Sequence, residues 1–283
     1  MNEIIPVSII IPSFRGGEKI VRCLESVIEL DYPEYEIIVV DNCSNDGSLE
    51  KIREILNIKF AEAIPYTIIE NKENLGVAKA TNQGFKVAKY HLVLTLDEDV
   101  ILHKDCLTEL VKVISEDEKI CLVVPKIFNY TSKKFQGIGF TMSSVIMQTK
   151  VILEDEDKRR EIDYVPGAVV LSRNVGQMDE DYFLYYSDAQ YSLDFRNEGY
   201  KIVYTPTALA WHDCNTAEGF TPFRIQQFIR SKLLFAQKNG KHLFEFYAYF
   251  FFVYAPARIV KYLIKGKFKM IPAFLIGIWE GCK

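Results

Sequence analysis

Apolar and β-branched residues arrive in short dense bursts along the first hundred positions, at 7–11, 36–40, 66–69 and 92–96. Apart from Ser8 and Glu36 the bursts are apolar or β-branched on both faces rather than alternating, which reads as strands buried on both faces in a parallel sheet. Between the first two, Ile20, Val21, Leu24, Val27 and Ile28 recur at helical spacing. That spacing predicts a helix over 18–30, and similar patterns predict helices up to about residue 56 and over 77–88. Strand alternating with helix four times predicts an α/β fold with a mostly parallel sheet and right-handed crossovers.

The polar residues gather where these strands end. Pro12-Ser13 follows the first strand, Asp41-Asn42 the second and Asp97-Glu98-Asp99 the fourth. Ligands in such sheets bind outside the carboxyl ends of the strands, so the three ends are expected to share one crevice. Three adjacent carboxylates repel unless a cation compensates them, and an oxygen-rich cluster suits Mg²⁺ or Mn²⁺. Taken alone, the same acids read first as an acidic surface turn, and Asp41 as a simple helix cap. No Gly-x-Gly-x-x-Gly follows the first strand and no Walker-type lysine loop occurs, which argues against a dehydrogenase or a P-loop enzyme. A nucleotide held by acids and a metal fits better.

The second half is less regular. A helix is expected over 106–115, strands over 120–127, 165–171 and 201–204, and β structure over 135–153. The charge run 154–161 reads as a solvated loop. An aromatic stretch, Tyr182-Phe183-Leu184-Tyr185-Tyr186, leads to Ser187-Asp188 and a helix to about residue 199, and Trp211-His212-Asp213 follows the last strand. Composition narrows the class: 49% of the 283 residues are hydrophobic and 25% charged, as in a folded globular protein. The net charge of −4 argues against nucleic acid as a partner. Six cysteines without paired spacing are expected to be reduced thiols in the cytoplasm. The start, Met1-Asn2-Glu3, lacks the form of a signal peptide.

In this order the motifs resemble the inverting glycosyltransferases of family 2, with the GT-A fold, and especially their rhamnosyltransferase-like branch. The pieces are Val7 to Phe14, Ile37 to Asn42 with Asp46-Gly47-Ser48, Asn74-Leu75-Gly76, Leu96 to Asp99, Tyr185 to Asp188, and Gly199 to Tyr204 leading to His212. The resemblance covers roughly residues 5–240. It implies a nucleoside-diphosphate sugar as donor and a glycan or lipid-linked acceptor. Pro12, Ser13 and Asp41 would face the nucleotide, Asn74 and Gly76 would shape the donor pocket, and Asp97 would stand near the ribose or the metal. Asp99 and His212 would ligate a divalent cation, Mn²⁺ or Mg²⁺. Asp188 would be the base that deprotonates the acceptor hydroxyl. Of the three acids, Glu98 is expected to be the replaceable one. Arg224, Arg230 and Lys232 would lie near the donor phosphates. The chain departs from the family where Ser187 replaces an acid before the base, where Gln190 replaces an acid after it, and at Asp194, where an arginine is common. The alternatives are a sugar-phosphate nucleotidyltransferase, which needs a glycine-rich basic loop after the first strand, and a non-catalytic membrane-bound partner in glycan assembly.

The division expected is a transferase domain over 1–240, with a nucleotide-binding half to 105 and an acceptor half beyond it, then a helical region over 241–283. There Phe244 to Pro256 is aromatic and apolar, and Arg258, Lys261, Lys265, Lys267 and Lys269 follow. The apolar runs look too short and interrupted to span a bilayer. They suit a helix lying on the inner face of the cell membrane, a homodimer interface, or a helix packed on the catalytic body.

Overall fold

A computed structural model describes residues 4–59, 64–154, 156–174, 176–214 and 221–283. The first three residues, and residue 155 of the charge run, lie outside them. The chain opens β1 (Val7–Ser13), α1 (Glu18–Ile28), β2 (Tyr35–Asp41), α2 (Ser48–Lys59), β3 (Tyr66–Glu70), α3 (Val77–Val87) and β4 (Leu92–Leu96). The four strands pair in parallel in the order β3-β2-β1-β4. Alternate side chains of each strand point to opposite layers. Ile9, Ile11, Ile37, Val39, Leu94 and Leu96 join one core with Leu24 and Val27 of α1 and Ile52 of α2. Ile10, Ile38, Val40 and Val93 join another with Phe85 of α3. This two-sided burial is why the bursts are apolar on both faces, and two polar residues within them, Ser8 and Glu36, are buried with the Ser8 hydroxyl donating to the Glu36 carboxylate at 2.7 Å.

After β4 the chain runs through β5 (Val100–Leu102), α4 (Cys106–Ile114), β6 (Ile120–Asn129), the hairpin β7 (Phe140–Met142) and β8 (Thr149–Val151), and β9 (Arg160–Glu161). It continues through β10 (Val169–Arg173), α5 (Ser187–Asn197), β11 (Lys201–His212) and α6 (Pro222–Asn239). The sheet grows to β3-β2-β1-β4-β10-β6-β11-β5, with β9 added on β11. β10 lies antiparallel against β4, with Val169 opposite Leu96. Three expectations need correction. The strand expected over 165–171 begins only at Val169, because Gly167 turns the chain at φ +83°. That expected over 201–204 runs on to His212 and carries this residue alongside β5. The charge run is mostly exposed, yet Arg160 and Glu161 pair with β11 and Asp157 holds the Lys126 ammonium at 2.7 Å.

The last helices are α7 (Leu243–Tyr249), a π turn (Phe250–Tyr254), α8 (Ala255–Ile264) and α9 (Met270–Gly281). The first three form one continuous helix, Leu243–Ile264, long and apolar enough by length and composition to cross a membrane. The apolar runs are therefore less interrupted than the sequence implied. The π turn carries the helix through Pro256, whose missing N–H would break a regular ladder. Phe246, Phe250, Ala255, Tyr262 and Phe274 share a core with Leu233 and Phe235 of α6 and with Tyr182 and Tyr186.

Candidate active site

The strand ends open into one crevice of about 370 Å³. Pro12, Ser13 and Phe14 line it from β1, Asn42 from β2, Asn74, Gly76 and Val77 from the β3–α3 loop, and Asp97 to Asp99 from β4. Phe183, Leu184, Thr221, Phe223 and Arg224 close the far side. Of the three cations expected near the phosphates, only Arg224 lines it. Arg230 donates to the Asp181 carbonyl at 2.7 Å, and Lys232 is buried with its ammonium 2.7 Å from the Met147 carbonyl oxygen.

Asn42 holds the β3–α3 loop in shape. Its amide donates to Asn74 Oδ1 (3.0 Å) and the Gly76 carbonyl (3.2 Å), and its oxygen accepts the Leu75 N–H (2.9 Å). Sequence reasoning passed over Asn42 as a site residue, although it stood next to Asp41 in the motif. Gly76 sits at φ +84°, and a Cβ there would come 2.5 Å from the Phe183 carbonyl oxygen. The same oxygen accepts the Val77 N–H at 2.9 Å, so the loop is clamped to the segment that leads to Asp188. Asp41 is buried just behind the crevice wall. Its Oδ2 accepts the Ser44 N–H, while its Oδ1 has no hydrogen-bond partner among the described residues. A buried carboxylate oxygen left unsatisfied is costly unless a ligand donor reaches it.

The acidic tip of β4 is differentiated. Asp97, Asp99 and His212 each offer a ligand atom, all within 4.8 Å of one another. His212 Nε2 lies 3.2 Å from Asp99 Oδ1, and Lys19 Nζ lies 3.4 Å from Asp99 Oδ2. Gln136 Oε1 stands 3.2 Å from His212 Nδ1 and orients the ring, a contribution with no sequence signal at all. Burial, reinforced by the charge of Asp99, pushes the Asp97 carboxyl up to about 7. Burial works against charge on His212, but Asp99 and its other neighbours outweigh it and push the imidazole up to about 10. Two half-buried carboxylates have thus gathered the positive groups within reach, which is the environment a divalent cation would satisfy. Two oxygens and one imidazole nitrogen suit Mn²⁺ well.

Glu98, expected to be the replaceable acid, makes contacts of its own. Its Oε2 accepts from Ser13 Oγ (2.5 Å) and the Phe14 N–H (2.9 Å), tying the β1 loop to β4. Burial nevertheless pushes its carboxyl up to about 7.

Asp188 lies on the other side of the Pro166-Gly167-Ala168 turn. The Ala168 carbonyl accepts the Asp97 N–H at 2.9 Å, and a Cβ on Gly167 would come 2.9 Å from Asp188 Oδ2. One turn therefore joins the acidic tip to Asp188. Tyr185 and Tyr186 precede it in left-handed backbone conformations, φ 65° and 63°, which residues of this size rarely adopt. Tyr186 is the N-cap of α5, so Asp188 falls inside the first turn rather than capping the helix. Burial pushes its carboxyl above the usual range, opposed by backbone N–H groups of the helix start. It lines a second cavity of about 130 Å³ with Tyr164, Tyr185, Tyr186, Phe228, Phe140 and Met142. The residues that depart from the family pattern make contacts of their own: Gln190 accepts from Tyr182 Oη (3.1 Å) and donates to Asp194 (2.8 Å), and Ser187 is buried.

A mostly parallel sheet that ends one central strand in Asp97-Glu98-Asp99, and returns a histidine beside it, defines the GT-A class of nucleotide-sugar transferase folds. The chain belongs to glycosyl transferase family 2, whose model matches residues 8–176. It is similar to the poly-β-1,6-N-acetyl-D-glucosamine synthase of Staphylococcus aureus, 28% identical over 218 residues that make up 75% of this chain and 50% of that protein. The chain thus spans about half the length of the curated relatives it matches. In fold it is similar to GalNAc-T7, crystallised with UDP, GalNAc and Mn²⁺ (TM-score 0.67, 18% identity, 82% of this chain and 48% of that one). It is similar also to the mannosyltransferase PcManGT of Pyrobaculum calidifontis, in complex with GDP-Man and Mn²⁺ (TM-score 0.62, 16% identity, 98% and 86%).

Proposed function

We propose that the chain is an inverting glycosyltransferase that moves a sugar from a nucleoside-diphosphate donor to a hydroxyl of a glycan or lipid-linked acceptor at the cytoplasmic face of the cell membrane. The observation that carries this reading is the Pro166–Ala168 turn, which joins the acidic tip of the nucleotide-sized crevice to a half-buried carboxylate in an aromatic pocket. The donor lies with its base and ribose over Pro12 and Ser13, with Asp41 just behind that wall. Asn74 and Gly76 shape the sugar-facing side, with Asp97 beside the ribose. Asp99 and His212 would hold Mn²⁺ or Mg²⁺, with Asp97 in reach; the bound ion supplies positive charge for the departing nucleoside diphosphate. Arg224 contributes a second positive charge from the opposite wall.

Asp188 takes the proton from the acceptor hydroxyl as that oxygen attacks the anomeric carbon from the face opposite the diphosphate. Its raised affinity for protons makes it a better base than a solvent-exposed aspartate. A single displacement inverts configuration and needs no carboxylate nucleophile, unlike retaining glycoside hydrolysis. The aromatic rings around Asp188 offer flat apolar faces on which a sugar ring packs. Similarity to a synthase of an amino-sugar polymer supports a glycan acceptor. The nucleotidyltransferase alternative lacks support, since Pro12 to Gly17 offers no basic glycine-rich cradle beyond Arg15. A panel of nucleoside-diphosphate sugars, screened with Mn²⁺ for thermal stabilisation and for release of the nucleotide, tests the proposal. One or more donors raise the Tm in parent protein and not in Asp99→Asn or His212→Ala; no stabilisation by any donor would refute it.

A further inference from the structure

The helices after Lys241 expose an apolar surface ringed by lysines. Phe252 is 84% exposed, Phe244 83%, Ile264 80%, Phe268 62% and Trp279 61%. An isolated exposed apolar side chain is ordinary, but a run of large ones along successive helices marks an interaction surface. The opposite face of the same helices is fully engaged. Phe246 and Phe250 are four residues apart, Ala255 is five farther and Tyr262 seven beyond, and all are buried. The π turn absorbs the odd spacing of five and keeps these residues on one side. α9 is locked down in turn, since a Cβ on Gly277 would meet the Gln226 carbonyl oxygen of α6 at 2.6 Å.

This packing decides between two uses of the Leu243–Ile264 helix. A helix crossing a bilayer leaves the soluble body along its axis. Here Phe246, Phe250, Ala255 and Tyr262 are buried at intervals along the helix, so one side of it packs on the body while most of its other residues are exposed. The charge distribution then identifies what covers its outer face. Residues 241–283 hold seven Lys and Arg against two Glu, a charge of +5 in a chain of −4, so the preceding 240 residues carry −9. Lys265, Lys267 and Lys269, all exposed, alternate with the turn that also exposes Phe268. Apolar side chains flanked by lysines match the boundary between acyl chains and anionic headgroups. We infer that this face is an interfacial anchor: α7, α8 and the α8–α9 turn lie flat on an anionic lipid leaflet, with Phe252, Ile264 and Phe268 inserted and the lysines on headgroups. A second copy of the chain fits less well, because a two-fold contact would bring the lysines of both copies together.

Sedimentation of the full chain with vesicles tests this. Parent protein is expected to bind phosphatidylcholine vesicles containing phosphatidylglycerol, to bind pure phosphatidylcholine far less, and to be released by salt. Phe252→Asp and Ile264→Asp alter side chains that hold no core contact, so their Tm should match the parent while vesicle affinity falls about tenfold or more. Lys267→Gln should cost about fivefold on anionic vesicles only. Failure of the parent to sediment with anionic vesicles would overturn the inference. So would extraction by detergent alone, which signals a spanning helix, or a solution dimer that Phe252→Asp dissolves. None of these outcomes bears on sugar transfer, which rests on the crevice.

Discussion

At the scale of single residues, Asp188 and Glu98 show what burial costs a carboxylate and what it gives. Burial raises the proton affinity of Asp188 in the folded chain above that of the unfolded chain. A raised acid contributes stability that is present below its unfolded value and lost as the pH climbs through the folded one. Asp188→Asn removes that loss. Its Tm should exceed the parent's at pH 8, with the advantage shrinking toward pH 4; a thermal-denaturation series across that range reads it directly, and a uniform drop would contradict the assignment. Glu98 holds Ser13 Oγ and the Phe14 N–H, so Glu98→Ala should weaken donor binding about tenfold by loosening the β1 loop, measured by calorimetric titration. An unchanged affinity would restore Glu98 to a passive role. Residue identities were well legible at Asp97, Asp99 and His212, because strand ends and motif order marked them. The strut role of Glu98 and the ring contact of Gln136 were not, since both depend on which loops meet in space.

The elements were readable where burial is two-sided and less so where direction matters. β1, β2 and β4 declared themselves by dense apolar runs. The antiparallel entry of β10 beside β4 did not, because an apolar burst reads the same in either direction. The length of β11 was hidden by its partly exposed middle at Pro206-Thr207. The β3–α3 loop is the element on which the donor side depends most. Gly76 adopts φ +84° and ψ 170°, a conformation essentially reserved for glycine, and abuts the Phe183 carbonyl. Gly76→Ala should therefore destabilise by about 1–3 kcal/mol or more and release the Asn74 loop from Asn42. Denaturant unfolding and donor titration of the same variant should show both losses; a stable variant with normal affinity would mean that the loop tolerates another path.

At the scale of the whole molecule, the tail is both a packing partner and an outer surface. Its Phe246, Phe250 and Phe274 complete the core formed by α6 and the segment bearing Tyr182 and Tyr186, just before Asp188. Cutting the chain after Lys241 would strip that core, which is why substitutions on the outer face are the sound test of membrane contact. Composition revealed the aromatic and basic character of this region. The single continuous helix stayed hidden, because Pro256 reads as a stop unless a π turn precedes it. The central claim is that the crevice binds a nucleotide sugar while Asp188, across one turn, activates the acceptor. Comparing Asp188→Asn with the parent, using whichever donor the panel identifies, measures it most directly. Donor affinity in the presence of Mn²⁺ should be unchanged and transfer to an acceptor should fall about 10²–10⁴-fold. Transfer by the variant at the parental rate would contradict the account.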